Sequence, residues 1–256
     1  MKQHTDLAWE RWGKQDPYFG VLADQKYRRA NIKNTRANFF ESGQLHITNV
    51  MAEIEKHFGP VSKGSALDFG CGVGRLLVPL SKVFDRVSGV DISKPMLEEA
   101  SKNLAEREIA NVDLLESDDA LSTLGDRKFD FIHTYIVLQH ISPERGYVIV
   151  RNLLRHLSPV GVFFIHVSYR RNLRLERELV YLGCNKIPFA YILFNILQGK
   201  GVFEPRMEMN EYDVGRLLGI LQGAGFKELM TKLENHGECL TASFYSKNTQ
   251  GRASEH

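Results

Sequence analysis

The residues with the clearest chemical potential form a glycine-rich segment, Asp68-Phe69-Gly70-Cys71-Gly72-Val73-Gly74. A short apolar run precedes it and leucines at helical spacing follow it, which predicts a strand, a turn and a helix. Glycine at every second position lets the backbone take positive φ and approach a ligand where a Cβ would collide. Because ligands of open α/β sheets bind at the carboxyl ends of strands, the segment predicts a small-molecule site.

Aspartates follow the next two predicted strands. Asp91 lies seventeen positions after Gly74, near the spacing at which a carboxylate accepts both hydroxyls of a ribose. Asp118 can accept a hydrogen bond from an adenine amino group, with the backbone amide of Asp119 opposite a ring nitrogen. The alternatives are a helix-start aspartate for Asp91 and a loop-capping aspartate for Asp118.

A dinucleotide is the competing ligand, since its fingerprint is G-x-G-x-x-G with a pyrophosphate at the helix amino terminus. Glycines 70, 72 and 74 do not match that spacing, and Asp68 would repel a pyrophosphate but favour an ammonium group. A ligand with a ribose, an adenine and an amino-acid moiety, but no phosphate, satisfies these observations. S-adenosylmethionine is such a ligand.

The surrounding elements alternate between β-type and helical patterns, which predicts βαβ units and a parallel sheet. Strands are predicted at 65–69, 86–92, 112–117, 129–137 and 162–167. Ser93 and Ser142 are predicted N-caps of helices, and another helix is expected over 211–224. The runs KELMTKLEN and ECLTASFYS then predict an antiparallel pair at a sheet edge.

Four segments resemble successive motifs of the class I S-adenosylmethionine-dependent methyltransferases: LDFGCGVGRLLVPL, VSGVDISKPMLEEA, ESDDAL and FDFIHTYIVLQHI. The resemblance covers roughly residues 60 to 170 and implies a Rossmann-like, doubly wound α/β fold. Its seven-stranded sheet would be mostly parallel, with one antiparallel strand near an edge.

The same resemblance implies roles for matching residues. It assigns the methionine part to Asp68, Gly70, Gly72 and Gly74, the ribose to Asp91, the adenine to Ile92, Asp118 and Asp119, and the methyl-donor region to Tyr135 and Gln139. Cys71 and Arg75 occupy loop positions where family members vary, so we expect at most backbone contacts from them. We add Met96, in the first turn after Asp91, and Tyr18 to the predicted cofactor-binding residues. No metal site is predicted.

Tyr18 belongs to an aromatic segment, WERWGKQDPYFG, in the amino-terminal arm. The arm either closes over the cofactor or packs as a hydrophobic staple on the core. Two histidines are candidate general bases for an oxygen acceptor, His140 after the fourth strand and His236 between the last two β runs. A structural role is the alternative for both, while His133 and His166 are expected to be core or sheet-face residues.

We predict two regions, a helical arm or cap over residues 1–64 and a methyltransferase domain over 65–256 with a lid insertion at about 168–208. The insertion joins four arginines to an apolar stretch at 187–197: Arg170, Arg171, Arg174 and Arg177. It indicates an anionic or lipid-linked acceptor, shallow membrane contact, or a helical cap that packs on the domain or forms a homodimer. The apolar stretch is too short to span a bilayer.

Composition places the chain among ordinary soluble globular proteins, with 43% hydrophobic and 25% charged residues and a net charge of +2. Basic residues are spread along the chain, so no nucleic-acid partner is expected. Three cysteines without a CxxC pair fit a reducing compartment, and the polar amino terminus lacks a signal-peptide pattern. We therefore expect a cytoplasmic protein.

The sequence as a whole predicts an enzyme that methylates a small molecule, on oxygen of a sugar or secondary metabolite, and releases S-adenosylhomocysteine. Protein or RNA methylation is an alternative, although the motif of base-amine methylation is absent where the chain reads HTYIVLQ. A nicotinamide oxidoreductase and a non-catalytic cofactor-binding protein are the others.

Overall fold

A seven-stranded sheet forms the centre of the fold in the computed structural model, which describes residues 3–172, 204–205, 207–237 and 239–248. Its strands are β1 Ser65–Phe69, β2 Arg86–Asp91, β3 Val112–Glu116, β4 Phe129–Thr134, β5 Leu157–Arg171, β6 Met230–Asn235 and β7 Cys239–Lys247. The strand order is β3-β2-β1-β4-β5-β7-β6. The first five strands are parallel, and β7 runs antiparallel to both β5 and β6. The predicted fold class is confirmed.

Helices lie on both faces of the sheet and before its first strand. They are α1 His4–Gln15, α2 Pro17–Val21, α3 Ile32–Phe58, α4 Leu77–Leu80, α5 Lys94–Ala105, α6 Pro143–Arg155 and α7 Val214–Gly223. Ser93 caps α5 by accepting a hydrogen bond from the backbone amide of Met96, and Pro143 begins α6 as predicted. No helix in the described ranges is long and apolar enough to cross a bilayer.

The sheet buries alternate residues of each strand in two different hydrophobic clusters. On β5, Phe164 belongs to the cluster that contains Phe39 and Ile47 of α3, whereas Phe163 faces Tyr147 of α6 on the other side. The amino-terminal arm thus shares its core with the sheet. The division at residue 64 and the 168–208 insertion remain predictions, and most of the insertion, with Arg174 and Arg177, lies outside the described residues.

Two elements are shorter than the sequence patterns predict. Helix α4 has one turn, since the preceding glycines hold positive φ and Pro79 lacks a backbone donor. Strand β4 ends at Thr134, three residues early, because Ile136 takes φ +60° and turns the chain out of the sheet. A β-branched residue in this region stores backbone strain of about 1–3 kcal/mol, here beside the ligand cleft.

Tyr212 fastens the loop after β4 to the rest of the domain. Its buried hydroxyl lies 2.9 Å from the carbonyl oxygen of Leu138 and 3.0 Å from that of Ile141. The ring passes directly over Gly146 of α6, where a Cβ would collide with the phenol. The loop therefore has a fixed path that depends on a glycine in the first turns of α6.

We expect Gly146→Ala to lower the free energy of unfolding by about 1–3 kcal/mol, because the added methyl group must displace Tyr212. The matched control is Gly219→Ala in α7, where the added Cβ would meet no described atom within 4 Å apart from the backbone of its own helix. That change should raise stability by up to about 1 kcal/mol through helix propensity. Urea unfolding of both variants checks the prediction, and shifts in the same direction would contradict it.

Candidate active site

A cleft of about 940 Å³, including its part open to solvent, lies at the carboxyl ends of β1, β2, β3 and β4. The predicted residues that line it are Asp68, Gly70, Cys71, Gly72, Arg75, Asp91, Ile92, Met96, Asp118, Asp119, Tyr135 and His140. Predicted residues that do not line it are Tyr18, Gly74, Gln139 and His236.

The glycine-rich loop is held to the end of β2 by its own backbone. The amides of Gly70 and Cys71 donate to the carbonyl oxygen of Val90 at 2.8 and 3.0 Å. Gly72 has φ +53°, and a Cβ there would lie 2.6 Å from Val21 of α2. Bare backbone therefore forms this wall, and Cys71 contributes a buried thiol whose pKa is raised by desolvation.

Asp91 supports the same loop with both carboxylate oxygens. One accepts a hydrogen bond from the amide of Gly72 at 2.8 Å, and the other accepts from the amide of Ser93 at 2.9 Å. Burial raises the pKa of Asp91 to about 6, against the lowering effect of these two amides. Each oxygen can accept a second hydrogen bond, so ribose hydroxyls and backbone amides can share the carboxylate.

Two opposite charges lie next to this loop with incomplete pairing. Asp68 is 2% exposed, and its Oδ2 has no hydrogen-bond partner among the described residues. Arg75 is 4% exposed; its Nε is likewise without a partner in the described part of the chain, and burial lowers its pKa. Burying a charged group without hydrogen-bond partners costs free energy. Asp68 and Arg75 are therefore suited to a ligand that brings an ammonium for the carboxylate and a carboxylate for the guanidinium.

The two aspartates after β3 already have protein partners. Asp118 accepts hydrogen bonds from the backbone amide of Ser122 at 2.9 Å and from its hydroxyl at 2.7 Å, which lowers the pKa of Asp118. This is the loop-capping arrangement weighed as its alternative. Asp119 accepts from Nε of Arg145 at 2.6 and 2.7 Å. Both still line the cleft, and their contacts with adenine remain predictions.

Helix α1 covers the cleft through contacts that sequence reasoning missed. Asp6, 4% exposed, pairs with Arg145 at 2.7 Å, so one guanidinium joins α1 to the loop after β3. The carbonyl oxygen of Trp9 accepts from Ser93, and its ring lies 5.0 Å from that of His140. The aromatic composition of the arm pointed to Trp9, whereas no local pattern marked Arg145.

Residues of the amino-terminal arm lie both at the cleft and in the core, and closure of the arm over a cofactor stays a prediction. Trp9 and Val21 line the cleft, whereas Trp12 and Phe19 pack in the hydrophobic core. Tyr18 points elsewhere, because its hydroxyl is 2.9 Å from Oδ1 of Asn103 on α5. A direct contact of Tyr18 with the cofactor stays a prediction.

His140 is a buried, uncharged histidine at the edge of the cleft. Its Nδ1 donates to the carbonyl oxygen of Glu208 at 2.6 Å, which leaves Nε2 as an acceptor 3.4 Å from the amide nitrogen of Gln139. Burial lowers the pKa of His140 to about 4. The His140 ring thus connects the 207–212 segment to the loop after β4 by a hydrogen bond. A role of His140 as a general base stays a prediction.

A cluster of imidazoles surrounds the ring of Tyr135 beside the cleft. His46 of α3 stacks on it at 3.9 Å, His166 of β5 lies edge-on at 4.9 Å, and His236 lies at 6.4 Å. Both ring nitrogens of His166 are buried without a partner among the described residues, and burial lowers its pKa to about 3. His46 was missed, since nothing in the sequence of a long helix indicates which residue faces a strand end.

Residues 66–161 match the family model for a methyltransferase domain. The ubiquinone biosynthesis O-methyltransferase of Rickettsia typhi is 24% identical over 170 residues, which cover 66% of this chain and 60% of the relative. The protein-L-isoaspartate O-methyltransferase of Methylobacillus flagellatus is 33% identical over 139 residues, covering 54% of this chain and 55% of the relative. The chain therefore spans less than two thirds of the length of these curated relatives.

Among solved structures, the magnesium protoporphyrin IX methyltransferase of Synechocystis PCC 6803 with bound S-adenosylhomocysteine superposes with a TM-score of 0.63. The identity is 17%, and the match covers 94% of this chain and 98% of that one. The fold is thus that of the Rossmann-like methyltransferases.

The methyltransferase-domain model over residues 66–161 and the shared fold both support the class I S-adenosylmethionine-dependent methyltransferase family. This confirms the family and the cofactor class predicted from the motifs.

The Asp6–Arg145–Asp119 contacts predict how firmly α1 is held. Arg145→Ala should accelerate hydrogen exchange of the His4–Gln15 amides by roughly tenfold or more, equivalent to about 1.4 kcal/mol, because Asp6 is left buried without its cation. Arg216→Ala is the control, since Arg216 pairs with the exposed Glu144, away from α1. Equal exchange in the two variants would show that the ion pairs do not hold the helix.

Proposed function

We propose that this chain transfers the methyl group of S-adenosylmethionine to an oxygen of a small-molecule acceptor, such as a sugar or secondary metabolite. The observation that carries the proposal is the incompletely paired couple of Asp68 and Arg75 beside the bare backbone of Gly70 and Gly72. The curated relatives named as O-methyltransferases support oxygen as the acceptor atom.

The residues of the cleft fit the parts of this cofactor. Oδ2 of Asp68 would accept from the ammonium group and Nε of Arg75 would donate to the carboxylate of its amino-acid moiety. Asp91 would receive the ribose hydroxyls, and Ile92 with the loop at Asp118 would take the adenine. The ligand that fits these residues has no pyrophosphate, and the carboxylates of Asp68 and Asp91 would repel one electrostatically.

The cofactor supplies an already activated methyl group on a sulfonium, so the protein mainly has to align the acceptor and exclude water. Proximity and orientation contribute about 7–11 kcal/mol to such reactions. Helix α1 and the loop after β4 would provide the enclosure, since Trp9, Ile136 and His140 line the cleft. The neutral imidazoles beside Tyr135 are suited to an uncharged hydroxyl, because each neutral ring offers one donor and one acceptor.

The proposal is tested by titration calorimetry and a product assay. We expect binding of S-adenosylmethionine and S-adenosylhomocysteine but not of NAD, and formation of S-adenosylhomocysteine that requires an added phenol or sugar. Asp68→Ala should abolish binding, while Asp113→Asn, an exposed surface change on β3, should not. Preference for NAD, or cofactor binding without turnover of any acceptor, would refute the assignment.

Cofactor affinity should depend on pH through Asp91, whose pKa is about 6. Ribose hydroxyls donate to the ionised carboxylate and favour it, so binding competes with protonation. The Kd for S-adenosylhomocysteine should therefore be constant above this pKa and rise by up to about tenfold per pH unit below it. Calorimetry between pH 5 and 7.5 measures the profile.

The control pair for this profile is Asp91→Asn and Asp113→Asn. Asp91→Asn should weaken binding and flatten the profile, because the titrating group is gone. Asp113→Asn should keep the wild-type curve. A wild-type affinity that is flat down to pH 5 would remove Asp91 from the ribose site.

A further inference from the structure

We propose that His46 accepts the hydroxyl proton of the acceptor and that a chain of hydrogen bonds through His133 carries it to Asp68. The inference rests on the proposed function and deepens it, since it defines the acceptor as a neutral hydroxyl that must lose its proton. It also gives roles to two histidines, His46 and His133, that cofactor binding does not need.

Two hydrogen bonds connect side chains of α3, β4 and β1 in one line. Nε2 of His46, on α3, lies 2.9 Å from Nε2 of His133, on β4. Nδ1 of His133 lies 2.8 Å from Oδ1 of Asp68, at the end of β1. His133 is fully buried and Asp68 nearly so, so the line is shielded from water.

The carboxylate determines which ring nitrogens carry hydrogen. A carboxylate only accepts, so Nδ1 of His133 donates to Asp68. The Nε2 atom of a neutral His133 ring then accepts, and Nε2 of His46 must donate to it. This leaves Nδ1 of His46 with a lone pair, and no described residue forms a hydrogen bond with it.

The far end of the line, at His46, packs on the back of a residue that lines the cleft. The ring of His46 is stacked on Tyr135 with an interplanar angle of 24°, and Tyr135 lines the cleft together with Arg75. One turn before His46, Gly43 packs directly on the backbone of Arg75. Helix α3 thus brings an imidazole from outside the βαβ core to the methyl-transfer side of the sheet.

The surroundings of His46 favour a neutral ring that transfers a proton to His133 and disfavour a charged imidazolium. Burial and the neighbouring His133, Arg75, His166 and His236 all lower the pKa of His46, so an imidazolium is disfavoured. In a relay no imidazolium accumulates, because each ring gains a proton on one nitrogen as it loses one from the other. The final proton acceptor is the carboxylate of Asp68.

The step is balanced. The acceptor O–H bond breaks as a new O–CH₃ bond forms, and the electron pair of the broken S–CH₃ bond stays on sulfur. The acceptor proton moves to Nδ1 of His46, the Nε2 proton of His46 moves to Nε2 of His133, and the Nδ1 proton of His133 moves to Oδ1 of Asp68. Asp68 returns this proton to solvent after product release, and reverse shifts restore both tautomers.

The first test needs no turnover. In ¹⁵N-labelled protein with S-adenosylhomocysteine bound, NMR should show His46 protonated on Nε2 with a bare Nδ1, and His133 protonated on Nδ1. The variants His46→Gln and His133→Gln assign the signals. A His46 ring protonated on Nδ1 would overturn the relay, because that nitrogen could not accept the acceptor proton.

The second test is kinetic. We expect His46→Gln to lower kcat by roughly 10²–10⁴-fold, with little change in acceptor KM or in the Kd for S-adenosylhomocysteine. The loss should shrink as phenol acceptors become more acidic, and added imidazole should partly restore His46→Ala. The control is His57→Gln, which changes a half-exposed histidine on the same helix and should keep wild-type rates.

The kinetic results distinguish failure of the relay from failure of the proposed function. The relay is overturned if His46→Gln leaves kcat intact, or if it lowers kcat equally for every phenol. Neither result contradicts the proposed methyltransferase activity. Retained cofactor binding with an acidity-dependent loss supports it. A wild-type protein that binds the cofactor yet methylates no acceptor overturns the proposed function, and the relay with it.

Discussion

The buried carboxylate of Asp68 is the interaction on which the site depends. Burying the carboxylate of Asp68 to 2% exposure costs free energy unless it is paired. The hydrogen bond from His133 satisfies one oxygen, whereas the other has no partner among the described residues. Its position is set by β1, which pairs with β2 on one side and β4 on the other. In the proposed reaction, Oδ2 of this side chain would hold the cofactor ammonium while Oδ1 receives a proton from His133.

The walls of the cleft come from segments that a bare βαβ sheet does not contain. Arg145 links α1 to the loop after β3, and Tyr212 ties the loop after β4 to the 207–212 segment. The strained backbone at Ile136 persists because Tyr212 and His140 fix the residues that follow it, 138–141. Enclosure of the site is thus a property of tertiary contacts between loops, and it can vary independently of the cofactor-binding strands.

Local pattern was sufficient for the strands, the glycine loop and the aspartate at the end of β2, because these depend on hydrophobic period and on neighbours a few residues away. It failed where partners are distant in the chain. The hydrogen bond of His46 to His133 spans 87 residues, and that of Arg145 to Asp6 spans 139. The apolar run at 135–137 predicted more strand, since periodicity cannot register the positive φ of Ile136. The long-range hydrogen bonds and the positive φ of Ile136 depend on tertiary packing, which cannot be read from the local pattern of a single sequence.

The charges near Tyr135 bear on which acceptors the site can take. Arg171, one of the arginines considered for an anionic acceptor, is paired with Glu211 at 3.1 Å. Two arginines in the described part of the chain do line the cleft, namely Arg75 and Arg145, and Arg145 is already paired with Asp6 and Asp119. In the proposed reaction the sulfonium stabilises negative charge that develops on a hydroxyl oxygen, which makes its proton easier to remove. Methyl transfer then neutralises the sulfonium as the relay neutralises Asp68, so a separated pair of charges disappears from a desolvated site in one step. An acceptor that arrives already anionic would leave Asp68 charged, and the two histidines between them would have no part in the chemistry.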